Sequence, residues 1–338
     1  MQENEICGED SDFEIDKVAE FFYEKTVLIT GAAGSIGSEL SKKLSNLNLK
    51  KLVLVDNNES ELFMLNLGLK DKTNVVPVLA DIRDSKKISS VFKEHIPEIV
   101  FHAAAYKHIP FMEEFPAEAI KNNIAGTFNI LRSCSDNKIS KFVLISSDKA
   151  VNPTSIMGAT KRICERIVKC FSIDGYICVR FGNVTRSRGS VIPIFEKQIE
   201  NNIPITITHP EMERYFMTTN EACNLILEAT ILSENGEIFV LDMGKPVKII
   251  DIARKMIKES CVKTEIKIVG IRPGEKLKEE LFFKNERRTR NNKILITNNG
   301  VERNPDSFLS EVEKLIKDVN VDDNKEDLKK KIWDLLSK

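Results

Sequence analysis

Short apolar runs alternate with longer amphipathic stretches along the first half of the chain, and this alternation predicts strands separated by helices. The apolar runs fall at 25–30 (KTVLIT), 51–55, 74–79, 99–102, 142–145 and 176–179. They are rich in β-branched and aromatic residues and nearly continuous in hydrophobicity, as strands covered on both faces of a parallel sheet require. Between them lie a helix through Leu40 and Leu44, one reaching about Ile96, a long one over 116–133 and one over 156–170. The pattern predicts the α/β class, a doubly wound parallel sheet over 24–183 followed by a smaller C-terminal substrate-binding domain over 184–338, with some later segments returning to the sheet. Residues 1–23 are acidic and read as a tail or linker remnant, with a short helix over 16–22 lying across the surface. Two further helices, through Phe308, Val312, Leu315 and Ile316 and through Leu328, Ile332 and Leu335, are expected at the end of the smaller domain.

The first strand runs directly into Gly31-Ala-Ala-Gly34-Ser35-Ile36-Gly37, which opens the first helix. Gly31 permits a tight turn, Gly34 lets backbone amides approach a pyrophosphate, and Gly37 allows the helix to pack closely on the strand. The helix start at Ser35 and Ile36 offers amides and partial positive charge to the anion. As bare spacing, the motif also fits a tight turn and nothing more. The second strand ends in Asp56, placed to accept hydrogen bonds from ribose hydroxyls and to repel a 2′-phosphate; no Arg or Lys follows in 57–59, so NAD is expected over NADP. A turn-starting, helix-capping role is the alternative for Asp56. His102 closes the fourth strand and reads as a packed residue, not a base.

The strand at 142–145 delivers Ser146, Ser147, Asp148 and Lys149 to its carboxyl end, where open α/β sheets bind ligands. After a turn at Asn152-Pro153, a helix opening near Thr154 or Ser155 carries Met157 and Lys161 four residues apart, on one face. Alone, the cluster fits a polar turn. Its order nevertheless resembles the catalytic signature of short-chain dehydrogenase/reductases, a Ser or Thr at a strand end and then Tyr-x-x-x-Lys, with Ser147 and Lys161 matching and Met157 in the tyrosine's place. SSDKAVNP followed by MGATK is similar to the tyrosine-lacking, membrane-anchored UDP-N-acetylglucosamine 4,6-dehydratases of the PglF and WbpM type, in the CapD-like polysaccharide biosynthesis family; the related 5-inverting dehydratases keep the tyrosine. Thr30-Gly31-x-x-Gly34-x-x-Gly37 likewise resembles the extended members with a Rossmann domain.

The resemblance spans about 25–286. It implies that Asp81 and Ile82 lie beside the adenine, that Ala103, Ala104 and Ala105 let the chain pass close to NAD, and that Asn123 supports the site. It implies further that Lys107, His108, Asn183, Arg188 and Val191 line the nucleotide-sugar site, with Thr185-Arg186 where relatives more often have Leu-Gly. Arg214, Arg272 and Glu275 belong to further family hallmarks; an Arg fork suits a diphosphate, although surface ion pairing is the alternative for each arginine. The implied reaction is a redox-neutral dehydration by a lyase of glycan biosynthesis. A hydride leaves C4, water leaves across C5 and C6, the hydride returns to C6, and the C5 configuration is retained. Lys149 is expected as the C5 base, if burial and Lys161 depress its pKa, and Asp148 as the acid for the C6 oxygen. Ser147 is expected near O4 and Lys161 on the nicotinamide ribose, while the Met157 thioether supplies shape and no proton. The helix pair 116–133 and 156–170 commonly builds dimers in such enzymes, so a homo-oligomer is implied by resemblance. Two other readings are a nucleotide-sugar 4-epimerase and a non-catalytic NAD-binding regulator.

Charge and composition narrow the partners. Lys and Arg number 50 against 51 Asp and Glu, which leaves no electrostatic footprint for nucleic acid or an anionic membrane. No run approaches the roughly 20 apolar residues of a membrane span, and the acidic start does not fit a signal peptide. A cytoplasmic chain without membrane contact is expected, as the soluble part, or a soluble relative, of a membrane-anchored enzyme. Seven scattered cysteines without a C-x-x-C pair and four histidines without ligand spacing predict no metal.

Overall fold

The computed structural model describes residues 13–337 except 73, 172, 234–235, 261, 282–285, 298–301, 303 and 321–322. The first twelve residues of the acidic segment, with Cys7 and Cys261, lie outside the described residues. The five described cysteines, Cys134, Cys164, Cys170, Cys178 and Cys223, are all buried.

Six parallel strands form the centre: β1 (Thr26–Thr30), β2 (Lys51–Asp56), β3 (Val75–Leu79), β4 (Ile99–His102), β5 (Lys141–Ile145) and β6 (Tyr176–Arg180). Their spatial order is 6-5-4-1-2-3, and Ile238–Leu241, Ile294–Thr297 and Glu286–Arg288 extend the sheet beyond β6 to nine strands. Ile238–Leu241 is parallel to β6, Ile294–Thr297 is antiparallel to Ile238–Leu241, and Glu286–Arg288 is antiparallel to Ile294–Thr297. Residues 238–241 and 286–297 thus add strands to the sheet beside β6. The chain reverses its winding between β1 and β4, the topological switch point of such sheets, and the glycine-rich turn and Ala103–Ala105 emerge there side by side.

At that point Thr30 pairs with His102 in the ladder. His102 Nδ1 lies 2.6 Å from Thr30 Oγ1 and Nε2 lies 2.9 Å from Thr127 Oγ1. Burial pushes its imidazole down to about 3, so it is a neutral spacer between two hydroxyls.

Helices cover both faces of the sheet, but two placements differ from the sequence expectation. The helix Ile15–Phe22 is not surface tail: Val18 and Phe22 are fully buried in the core shared with β1, β4 and the helix Thr219–Leu232. The C-terminal helices Pro305–Asp318 and Lys325–Ser337 do not finish the smaller lobe. They insert Phe308, Val312, Leu315, Leu328, Ile332 and Leu335 into the core around the helix Ile156–Phe171. Arg166 of that helix holds them: its guanidinium makes two 2.8 Å bonds to Glu302, donates to the carbonyls of Leu335 and Leu336, and stacks 3.9 Å from the Phe308 ring. Their apolar stripes need a partner of matching length, and the outer face of Ile156–Phe171 supplies one.

The smaller lobe has its own core, in which Ile192, Phe195, Ile205, Ile207, Ile249 and Met256 join the helices Val191–Glu200 and Ile249–Ser260 to the parallel pair Ile205–Ile207 and Ile266–Ile268. The helix expected over 116–133 is a continuous rod to Asp136 with a π-helical segment, Ile120–Ala125. Such insertions cluster at functional sites, and this one carries Asn123. Among the described residues, no helix is long and apolar enough to cross a membrane.

Candidate functional site

A cavity of about 890 Å³ opens at the carboxyl ends of β4, β5 and β6, and a second of about 250 Å³ lies over β1 and β2. They share Gly34, Asn58, Ala103, Ala105, Tyr106 and Arg188, so one groove runs from β2 to the smaller lobe.

The β2 end is shaped for a dinucleotide. Gly31 sits at φ 65°, and a Cβ there would lie 2.6 Å from Ala104 N; a Cβ on Gly37 would lie 2.1 Å from Gly31 O. Only bare backbone allows the turn, the helix Ser35–Ser45 and the Ala103–Ala105 segment to meet so closely. Asp56 lines the smaller cavity, and its carboxylate accepts from Ala33 N and Asn58 N, both at 2.9 Å. It thus performs the turn role and still faces the groove. Asp56→Ala is expected to narrow the preference for NAD over NADP, read by titrating both cofactors; equal affinities in the unmodified protein would overturn the ribose assignment.

Several expected ligand contacts need revision or a more exact place. Ile82 lines the smaller cavity, but Asp81 does not; it is turned onto Arg83, whose hydrogen bonds hold its carboxyl below the usual range. Asn123 is buried behind the groove. It accepts from Tyr106 N at 2.8 Å, donates to Tyr106 O at 3.0 Å and donates to Thr160 Oγ1 at 3.1 Å, so it positions the Tyr106-Lys107 segment instead of touching a ligand. Arg188, expected at the sugar, reaches the glycine-rich loop: its guanidinium donates to Ala33 O and pairs with Glu61 at 2.8 Å, and its amide donates to Ser35 Oγ at 3.1 Å.

At the β5 end, Ser147, Lys149, Met157 and Lys161 all line the larger cavity. Asp148 is fully buried beneath it; Ser147 Oγ donates to its Oδ1 at 2.8 Å and Lys149 Nζ donates to the same oxygen at 3.0 Å. Lys149 Nζ also lies 3.4 Å from Asn183 Oδ1 and 3.6 Å from Glu279 Oε1. Burial pushes the Lys149 ammonium down, but the carboxylates of Asp148 and Glu279 outweigh it, and the net shift is upward. The expected depression by Lys161 is therefore corrected: opposite charges close by favour the charged form more than burial disfavours it. Lys161 itself is pushed down by burial and donates to Ile145 O at 2.8 Å.

Gly158, which the sequence reading passed over, permits this convergence. A Cβ there would sit 2.3 Å from Lys149 O, so the helix rests its backbone on the loop that bears Asp148 and Lys149. Gly182 plays a similar part over Asp148, where a Cβ would lie 3.2 Å from Oδ2. Such glycines carry no motif of their own, and Glu279, inside an expected hallmark, had no signal apart from its neighbours.

On the smaller-lobe side, Lys107, His108, Asn183, Arg188 and Val191 line the cavity. Burial, and then the adjacent cation, pushes both Lys107 and His108 down. Arg186 occupies the left-handed region at φ 53°, a conformation that glycine adopts freely. Arg214, Arg272 and Glu275 do not line the cavity. Arg214 is spent on the carbonyls of Glu213, Lys276 and Leu277, and Glu275 accepts from Arg272 N at 3.2 Å.

The fold and groove together define an extended short-chain dehydrogenase/reductase. The chain belongs to the polysaccharide biosynthesis protein family, whose sequence profile matches residues 27–299. It is 50% identical over 273 residues, 78% of this chain and 46% of that protein, to the capsular polysaccharide biosynthesis protein CapD of Staphylococcus aureus. The chain thus spans about half the length of that relative. A UDP-glucose 4-epimerase of Rickettsia bellii is 34% identical over 276 residues, 78% of this chain and 80% of that protein. The X-ray structure of Pen from Bacillus thuringiensis superposes with a TM-score of 0.77 at 35% identity, covering 84% of this chain and 90% of that chain.

Proposed function

We propose that the protein is an NAD-dependent hydro-lyase that converts UDP-N-acetylglucosamine to the UDP-2-acetamido-2,6-dideoxy-4-keto-hexose with retention at C5, in the cytoplasm and for glycan biosynthesis. The observation that carries this reading is the hydrogen-bonded Asp148–Lys149 pair, 3.0 Å apart at the end of β5, with Met157 where a proton-carrying tyrosine would stand. An epimerase needs no such pair, and a regulator without chemistry needs no buried charge at the mouth of a sugar-sized cavity. In this division of labour 24–183 binds the cofactor and carries the reacting groups, and the smaller lobe closes over the nucleotide sugar.

When bound, NAD supplies the acceptance of hydride from C4 and its return to C6. Gly34, Ser35 and Gly37 would receive its pyrophosphate, Asp56 its adenosine ribose and Lys161 its nicotinamide ribose. Ser147 would pass the O4 proton to Asp148 along its 2.8 Å hydrogen bond. Neutral Lys149 then takes the C5 proton while Asp148 gives its proton to the C6 oxygen; the C6–O bond breaks and water leaves. Lys149 finally returns its proton to C5, and both residues are back in their starting states. A single base on one face takes and restores that proton, so C5 keeps its configuration. Seating the sugar removes water from Lys149 and favours the neutral amine that the cycle requires.

Incubation with UDP-N-acetylglucosamine is the test. Product lighter by one water with retained C5 coupling constants supports the reading; an isobaric product identifies an epimerase, no product a regulator, and inverted C5 the other dehydratase branch. Met157→Leu is expected to keep turnover within about tenfold, because a volume-conserving swap costs no more than about 1.4 kcal/mol. A thousandfold loss in the same assay would give Met157 a chemical role.

The implied homo-oligomer meets one constraint. The outer face of the helix Ile156–Phe171 is covered by the chain's own C-terminal helices, so an oligomer would use another surface.

A further inference from the structure

The Arg272-Pro-Gly-Glu275 segment does not reach the cavity, yet it is tied closely to the catalytic loop. Thr154 Oγ1 donates to Gly274 O at 3.1 Å, Lys276 Nζ donates to Val151 O at 2.9 Å, and Asn152 Nδ2 donates to Glu280 Oε2 at 3.0 Å. The segment is a strap over the turn that joins β5 to the helix Ile156–Phe171. What it delivers inward is Glu279, whose side chain is 2% exposed. Glu279 Oε1 lies 3.6 Å from Lys149 Nζ and 3.9 Å from Arg214 Nε, while Oε2 is buried without a hydrogen-bond partner.

We propose, resting on the dehydratase reading, that Glu279 is a positioning residue for the catalytic pair: it holds Lys149 Nζ against Asp148 and Asn183 and governs when Lys149 gives up its proton. A buried carboxylate oxygen left unpartnered carries the full desolvation penalty of a charged group, which packing alone gives no reason to keep. The charges around it alternate in space as Asp148, Lys149, Glu279 and Arg214. Arg214 cannot swing away because three backbone carbonyls hold it. Lys149 thus faces Asp148 on its own loop, Glu279 on the strap and the more distant Arg214 beside it. The two carboxylates favour its charge, and Arg214 opposes it. Tyr215, beyond Asp148, is pushed up by burial and then by that carboxylate, so it stays neutral and adds no charge to the set.

Glu279→Gln tests this with the full chain. Labelling with acetic anhydride across pH, followed by mass spectrometry of the Lys149 peptide, reads the proton on Lys149 without any turnover. Removal of a neighbouring opposite charge is expected to lower the labelling midpoint by about one to three pH units while bound NAD is unchanged. With UDP-N-acetylglucosamine, the acid limb of kcat/KM is expected to move the same way. An unmoved midpoint in a folded, NAD-retaining variant overturns the proposal, because a purely structural role would change stability or KM but not that midpoint. If the variant does not fold, Arg214→Gln serves: loss of the opposing cation is expected to raise the midpoint, and no rise overturns the proposal. Should the unmodified protein yield no dehydrated product, the enzyme reading fails while the labelling result still decides the role of Glu279.

Discussion

Asp148→Asn and Lys149→Met are each expected to lower dehydration by about a hundredfold to ten-thousandfold, the usual contribution of a positioned acid or base, with bound NAD nearly unchanged. Both side chains sit at the β5 end, apart from the turn that would hold the pyrophosphate, so cofactor content separates lost chemistry from lost folding. Asp148→Asn keeps the shape and a hydrogen-bond acceptor for Lys149 but can neither collect the O4 proton nor deliver one to the C6 oxygen. Lys149→Met keeps the stem and removes the amine. The decisive measurement is single-turnover product formation at matched NAD content. Near-native turnover in either variant would remove that residue from the mechanism.

Arg180→Met is expected to cost about 3–5 kcal/mol of stability, the range found when one partner of a buried ion pair is removed. Arg180 and Glu165 are both fully buried, and the guanidinium donates twice to the carboxylate at 2.6 Å. Ser146 Oγ donates to the same carboxylate at 2.6 Å and Arg162 pairs with it at 3.1 Å, so the network ties the end of β5 to the helix Ile156–Phe171. Burial alone would push the Glu165 carboxyl up, but Arg180 more than compensates and holds it below the ordinary range. A depressed carboxyl contributes stability above its unfolded pKa and loses it as pH falls through the folded value. In Arg180→Met only Arg162 and Ser146 remain to oppose burial, the depression shrinks, and the variant is expected to lose less of its remaining stability in acid than the unmodified protein does. Urea unfolding from pH 4 to 8 reads both effects; an acid response unchanged from the unmodified protein would show that Arg180 does not control Glu165.

The sheet domain was legible because its signals are local. Each of the six strands is an apolar run beginning or ending within a residue of its position in the fold, and the glycine-rich turn carries its reason in the residues themselves. Met157 and Lys161 share a helix face by spacing alone. Apart from Asp81, turned onto Arg83 two residues on, the misplacements involve long-range choices. Nothing in the stripes of Phe308 or Leu328 says which helix they cover, and Arg272 reads as a ligand contact until the strap is seen to turn elsewhere. Lys149 shows the limit most clearly: its neighbour Asp148 is adjacent in sequence, but Glu279, 130 positions on, helps set the direction of its shift.

The backbone contact at Gly158 has a consequence for motion. With no side chain between the helix and Lys149 O, the loop bearing Asp148 and Lys149 and the helix bearing Met157 and Lys161 cannot slide past each other without breaking that contact. The two are therefore expected to move together as one body. Under the proposed function, accommodation of differently shaped sugars is expected to fall to the 187–190 loop, where Gly189 at φ 68° abuts the His108 ring. Exchange among related sugars should accordingly appear as changes in loop order, with the spacing of the reacting groups left constant.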